Sequence, residues 1–305
     1  MRVLDTNATR PGGPGFVYDR ASGRKDRRRT RRTPHAPVLA VTSGKGGVGK
    51  TNVVANLAAS LARRGKRILA IDADPGLANL DLLLGVKPAY TLADFFAGAA
   101  ALEEILAATG DGILLLPGAS GVQEATALRP EQKAALLTEL DAMTRALDLV
   151  LIDTGSGISD AVTYFTTAAQ EIVVVATPEP SSMTDAYALI KVLSSAHRQK
   201  RFWVLANNAA SAAEAREVYE ALSRTALRFL NASLDFLGWI PRDPALARAV
   251  ARSRPVVDEA PGSPSAIAFA ALAGRVVEIA AGTVTVKGGV QFFFRRLLER
   301  EREER

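Results

Sequence analysis

No cysteine occurs among the 305 residues, which excludes disulfide frameworks, thiol catalysis, Cys-ligated zinc and cysteine-held iron–sulfur clusters together. Long apolar runs are missing as well. The longest, Ala266 to Ala273, is closed by Gly274 and Arg275, well short of the roughly 20 residues that cross a bilayer. No apolar core follows the first basic residue, as a secretion signal requires. These absences lead to the expectation of a cytoplasmic protein in a reducing compartment, neither secreted by that route nor transmembrane.

What is present, 48% hydrophobic and 23% charged side chains, suffices for a sizeable core and argues against a fibrous or fully disordered chain. The net charge of +6 is unevenly spread: residues 1–36 hold ten Lys/Arg against three Asp, a balance of +7 that leaves −1 for the remainder. That tail, rich in Gly, Pro and polar residues, is expected to be disordered. It is either a solvated leader or a handle for an acidic partner, nucleic acid or anionic lipid.

After the tail, apolar runs alternate with helical patterns. Pro37–Ser43, Arg67–Asp74, Gly112–Leu116, Leu147–Thr154, Glu171–Pro178, Arg201–Asn207 and Leu234–Ile240 read as strands. Lys50–Arg64, Pro130–Ala146, Ser182–Ala196 and Ala213–Thr225 read as helices. Most of these strands are continuously apolar rather than alternating, as expected where helices cover both faces of a parallel sheet. The expected fold is α/β, a doubly wound, mainly parallel sheet flanked by helices over residues 37–281.

The first strand runs into Gly44, Lys45, Gly46, Gly47, Val48, Gly49, Lys50 and Thr51, followed at once by the helical pattern from Asn52. This is G-x-x-x-x-G-K-[ST] in its strand–loop–helix context. Glycines let backbone N–H groups turn inward around phosphate oxygens, and the helix N-terminus adds its dipole. Lys50 balances β/γ-phosphate charge and the Thr51 hydroxyl suits Mg²⁺. Gly44, Gly46, Gly47, Val48, Gly49, Lys50, Thr51 and Asn52 are therefore the candidate contacts for ATP or ADP. Leu149-Val150-Leu151-Ile152-Asp153 is an apolar strand ending in an acid, which makes Asp153 a magnesium candidate acting through water.

A second lysine inside the loop, Lys45 of KGGVGKT, resembles the deviant phosphate loop of the MinD/ParA ATPases. The resemblance implies that Lys45 acts in trans across a nucleotide-sandwiched homodimer, with Lys50 acting in cis. Ile71-Asp72-Ala73-Asp74-Pro75-Gly76-Leu77-Ala78-Asn79-Leu80-Asp81 is similar to the family's D-x-D-x-G-L-x-N-L-D switch segment. That similarity gives Asp72 to the magnesium shell and Asp74 to the attacking water, making Lys45, Lys50 and Asp74 the catalytic set and Thr51, Asp72 and Asp153 the metal set. Asn207 matches the family's adenine-reading asparagine, with Asn208 beside it leaving the register open by one. Ile240-Pro241-Arg242-Asp243 resembles the loop framing the base, with Pro241 as backbone contact. The activity so implied is slow, Mg²⁺-dependent hydrolysis of ATP to ADP and phosphate.

Three further stretches, Gly118–Glu124, Ile152–Ser159 and Thr177–Pro180 running into Asp185–Lys191, resemble the FlhG (FleN) family, MinD-like ATPases that control flagellar number and placement. Beyond Gly288-Gly289, a helix would place Val290, Phe293, Phe294, Leu297 and Glu301 on one face with Leu298 adjoining and Arg295, Arg296 and Arg300 off the stripe. Residues 282–305 thus read as an amphipathic membrane-targeting helix, and the expected location is cytoplasmic, peripheral to the inner face of the plasma membrane. An FlhF-type GTPase and flagellar basal-body or regulatory proteins are the implied partners. The family's D-Q-A-x-x-L-R motif is not intact here: Asp19–Lys25 keeps the Asp and Ala and lacks the Gln and Leu. A partition ATPase gripping DNA non-specifically through the basic tail is the alternative, and it leaves nucleic acid open as a partner.

Overall fold

Continuous burial of short β-rich runs builds the centre of the molecule. A computed structural model describes residues 36–74, 79–91, 94–95, 97–118 and 146–282. Eight strands form one sheet: β1 (Val38–Ser43), β2 (Ile68–Ala73), β3 (Ala107–Ala108), β4 (Ile113–Leu116), β5 (Leu149–Ser156), β6 (Glu171–Ala176), β7 (Arg201–Ala209) and β8 (Ser233–Pro241). Their order is β3-β4-β2-β5-β1-β6-β7-β8, and every pairing is parallel except β3 with β4. The expected doubly wound sheet is thus observed. The two-residue antiparallel edge β3 is an addition that the sequence pattern did not announce.

The helices are α1 (Lys50–Ala62), α2 (Leu80–Leu84), α3 (Leu102–Ile105), α4 (Asp160–Ala168), α5 (Pro180–Ser195), α6 (Ala212–Phe229), α7 (Pro244–Ala251), α8 (Val256–Glu259) and α9 (Pro264–Gly282). Local chemistry starts several of them. Ser159, Ser211 and Asp243 each accept a first-turn N–H, and prolines open α5 and α7. All six residues of β1 are buried because they face two cores alternately. Leu39 and Val41 pack toward α1, α8 and α9, whereas Val38 and Ala40 pack toward Phe165 and Ala168 of α4. With β1 central and the chain leaving it in both directions, the crevice at its C-terminal end is where open α/β sheets hold ligands.

The expectation that no segment is apolar enough to cross a bilayer needs a correction. Helix α9 has 19 residues and is long and apolar enough to span by length and composition. Its Phe269, Leu272, Ala273 and Val276 are fully buried among residues of α1, α8 and the sheet, so here it serves as a core helix. An unbroken apolar run was the wrong criterion: Gly274 and Arg275 interrupt the sequence without interrupting the helix. The basic tail apart from Ala36, residues Pro75–Ala78 of the switch segment, the helix expected at Pro130–Ala146 apart from Ala146, the stretch from Ala119 to Glu124 and the C-terminal helix with Val290, Phe293, Phe294, Leu297 and Leu298 lie outside the described residues.

Candidate functional site

The phosphate loop leaves β1 through Ser43, whose hydroxyl donates to the Lys45 carbonyl at 2.7 Å. Two glycines are fixed by close approach: a Cβ on Gly44 would sit 2.0 Å from the backbone of Asp185 in α5, and one on Gly49 would meet Asn207 Nδ2 at 2.6 Å. Gly49 also has φ of 92°, a left-handed conformation that costs glycine little. No side chain caps α1, so the N–H groups of its first turn remain for an anion.

Lys50 opens α1 and is buried, 8% exposed. Burial lowers its pKa, and the negative charges of Asp153 and Asp74 oppose that shift. Asp153 lies on β5 in register with Asp72 on β2. Both carboxylate oxygens of Asp153 are buried with no hydrogen-bond partner. Burial pushes this acid up to about 7; the nearby Thr51 hydroxyl, without completing a hydrogen bond, and Lys50 pull it down, and Asp72 and Asp74 push it further. A bare buried carboxylate beside a hydroxyl is an oxygen donor set suited to a hard cation. Among the described residues no cluster of three or more His, Asp or Glu offers a self-sufficient metal cage, but Mg²⁺ at nucleotide sites needs only one or two carboxylates plus phosphate oxygens.

Asp72 differs. Its Oδ1 accepts from the Asp74 N–H at 3.2 Å and its Oδ2 from the Leu80 N–H at 3.1 Å. Burial raises its pKa while those two amides lower it. Asp74 is half-buried at the end of β2, close enough for its charge to act on Lys50.

On the other side of the loop, Asn207 near the end of β7 is 7% exposed. Its Nδ2 donates to the Val48 carbonyl at 2.7 Å, and because a carbonyl only accepts, the amide orientation is set. The atom left buried without a partner is the acceptor Oδ1. Asn208 is exposed with φ of 58°, so the structure turns Asn207, not Asn208, toward the phosphate loop. Pro241 closes β8 in register with Ala209, and the Arg242 N–H donates to the Ala209 carbonyl at 2.8 Å, bringing that loop to the same sheet edge.

The Lys45 Nζ contacts Glu179 Oε2 at 2.8 Å and Ser181 Oγ at 2.9 Å, at the start of α5. Sequence reasoning did not single out Glu179 or Ser181 as partners of Lys45. The one available signal was the Glu-Pro opening a helix after an apolar strand, which positions an acid at a strand's C-terminal edge.

With this geometry in view, the comparisons are decisive. Residues 39–256 match the CobQ/CobB/MinD/ParA nucleotide binding domain. The antiactivator FleN of Pseudomonas aeruginosa is 43% identical over 262 residues, covering 86% of this chain and 93% of FleN. This chain belongs to the FlhG/FleN branch of the MinD/ParA family. The flagellum site-determining protein YlxH of Helicobacter pylori is 35% identical over 264 residues, 86% of this chain and 89% of YlxH. The septum site-determining protein MinD of Pyrococcus horikoshii, solved with Mg-ADP, superposes with a TM-score of 0.63 at 28% identity, covering 82% of this chain and all of that one. Family membership assigns the glycine loop a nucleotide and ties the flagellar relatives to a P-loop fold.

Proposed function

We propose that this chain is a Mg²⁺-dependent ATPase of the flagellar MinD-like type, whose ATP-bound form pairs with a second copy and associates with the membrane to control flagellar number and placement. The observation that carries the reading is the convergence of Lys50, Thr51 and the unpartnered Asp153 carboxylate at the end of the central strands. The α1 N-terminus and the glycine amides hold the phosphates, and Lys50 balances their charge. Asn207 Oδ1, a lone acceptor, suits an exocyclic amino group and hence adenine. Thr51 and Asp153 would hold magnesium, which supplies neutralisation of developing phosphate charge when bound.

Asp74 orients a water for in-line attack on the γ-phosphorus; the bond to the β–γ bridging oxygen breaks and ADP and phosphate leave. Such transfer needs positioning and charge stabilisation more than covalent help from the protein. Lys45 contributes the second positive charge. In pairing it exchanges Glu179 and Ser181 for the phosphates of the neighbouring copy. The exchange is energetically cheap, since both partners of the ion pair are substantially exposed and such pairs are worth about 0–1 kcal/mol.

Size-exclusion chromatography with light scattering tests this. ADP keeps the chain single, and a non-hydrolysable ATP analogue pairs it. Lys50→Ala abolishes nucleotide binding, whereas Asp74→Ala binds ATP, pairs and does not release phosphate. An ATP-loaded Asp74→Ala chain that stays single contradicts the reading.

A further inference from the structure

We propose that the last turn of α6 is a second lipid contact, one that rests on the membrane association proposed above and adds to it: Leu227 and Phe229 enter the headgroup–acyl boundary of an anionic bilayer while Arg228, Lys200 and Arg198 meet its phosphates.

Helix α6 packs on the sheet through Ala215, Val218, Leu222 and Ala226. Between those positions exposed residues come at most two in a row, as on a helix with one covered face. After Ala226 the pattern stops. Leu227, Arg228 and Phe229 are all exposed, although three consecutive residues fan over about 200° of a helix, so the final turn ends clear of the sheet's cover. Leu227 is 81% exposed and Phe229 63%, the two highest values for large apolar side chains among the described residues. Single exposed apolar residues are ordinary, but two on one turn make a patch.

The surroundings of that patch are basic. The Arg228 guanidinium carbon lies 5.1 Å from the centroid of the Phe229 ring, an amphipathic pair with one wet end and one apolar end. Ser233, four residues beyond Phe229, donates its N–H to the Lys200 carbonyl at 2.8 Å, which keeps Lys200 within about 15 Å of the turn. Arg198, two residues before it, is exposed as well. Nearby acids are engaged elsewhere: Asp235 with Arg201, Glu220 with Arg224, and Glu171 with the Trp203 Nε1–H. Among the described residues Arg198, Lys200 and Arg228 pair with no acid. Cations around an exposed apolar pair match anionic headgroups above acyl chains. An apolar protein face would leave the charges unmet, and a nucleic acid would leave the apolar pair in water.

The orientation agrees. Helix α9 starts beside Asp243, whose Oδ2 accepts from the Ser265 N–H at 3.0 Å, and further along Arg275 Nη2 donates to the Phe236 carbonyl at 3.0 Å. It therefore runs back toward the start of β8. Helix α6, lying between the end of β7 and the start of β8 in the chain, finishes at the same edge of the sheet. The chain thus leaves α9 toward the expected membrane-targeting segment from the end of the molecule that carries Leu227 and Phe229. Two apolar side chains hold a bilayer weakly by themselves, but beside a segment already anchored they act at its effective concentration.

The chain has no cysteine, so Leu227→Cys carries a polarity-sensitive fluorophore to this turn alone. Glu217→Cys, exposed and about 15 Å back along the same helix, is the control. With the full chain bound to a non-hydrolysable ATP analogue and vesicles of phosphatidylcholine and phosphatidylglycerol, the label at 227 brightens and is quenched by brominated acyl chains, whereas the label at 217 does neither. In the unlabelled chain, Leu227→Ser with Phe229→Ser lowers vesicle affinity by roughly ten-fold or more. Lys200→Ala and Arg228→Ala each lower it by roughly five-fold, an effect that fades at high salt, and all these variants pair on the ATP analogue as the wild type does. A label at 227 that stays in water while the chain co-sediments overturns the contact and leaves the membrane reading standing. A label that responds to the ATP analogue without lipid places this turn against the second copy and also overturns the contact. Failure of the wild-type chain to sediment with any vesicle overturns the membrane reading and the contact with it.

Discussion

At the residue scale the governing quantity is what each acid has on its oxygens. Asp153 holds a charge site in reserve at a cost: burial raises its pKa to about 7, far above the usual 3.8. Its folded value lies above its unfolded one, so the folded chain without metal takes up a proton that the unfolded chain does not. That contribution is fully present below about pH 4 and is lost as pH rises through about 7. Asp72, raised in the same direction by burial, adds to the trend. Thermal unfolding without nucleotide or metal is thus expected to show Tm falling between about pH 5 and pH 8, and Asp153→Asn to flatten the slope. The proton also competes with the cation, so half-saturating Mg²⁺ should drop as pH rises through about 7 and show no such dependence in Asp153→Asn. A wild-type Mg²⁺ titration that is flat over this range rejects the assignment of Asp153.

At the scale of elements, the phosphate loop depends on a helix distant in sequence. Gly44 lies against the backbone of Asp185 and Ala186 in α5, with 2.0 Å to the position a Cβ would take. Neither backbone can yield without moving β1 or α5. Gly44→Ala should therefore cost about 1–3 kcal/mol in thermal or urea unfolding and abolish binding of a fluorescent nucleotide, whereas Gly47→Ala, with open space around the added methyl and only its positive φ to strain it, should retain more binding. Equal loss in both variants refutes the packing argument. This contact also marks the limit of what the sequence discloses. Strand positions were legible to within two residues, because apolar β-branched runs buried on both faces have few alternatives. The loop was legible because its chemistry is local. Illegible were contacts made across long separations: Lys45 with Glu179, 134 residues apart, Asn207 with the Val48 carbonyl, 159 apart, and the different hydrogen bonding of Asp72 and Asp153, which look alike until the amides are placed. The edge strand β3 was missed since two alanines carry no β signal of their own.

For the whole molecule, the proposed function requires that events at one end of a parallel sheet alter membrane binding. If two copies close on ATP, each brings its segment from Val290 to Leu298 into one assembly, and the apolar stripe read from the sequence is presented twice. A single short amphipathic segment holds a membrane weakly, but a second one tethered nearby binds at an effective concentration in the millimolar range, so avidity can exceed either affinity by about 10²–10⁴. Under the proposed pairing, nucleotide state alone would set occupancy of the bilayer, and hydrolysis would reverse it by undoing the pair. Co-sedimentation with vesicles containing anionic lipid should recover the Asp74→Ala chain with ATP and leave the ADP form in the supernatant. Removing residues 288–305 should abolish recovery while leaving ATP-induced pairing intact on the sizing column, because in the proposed pairing it is Lys45 of the phosphate loop that reaches the neighbouring copy. Removing residues 1–36 instead should leave sedimentation unchanged; if it is this deletion that releases the protein from vesicles, the basic tail is the membrane contact and the avidity argument no longer applies to the C-terminal segment.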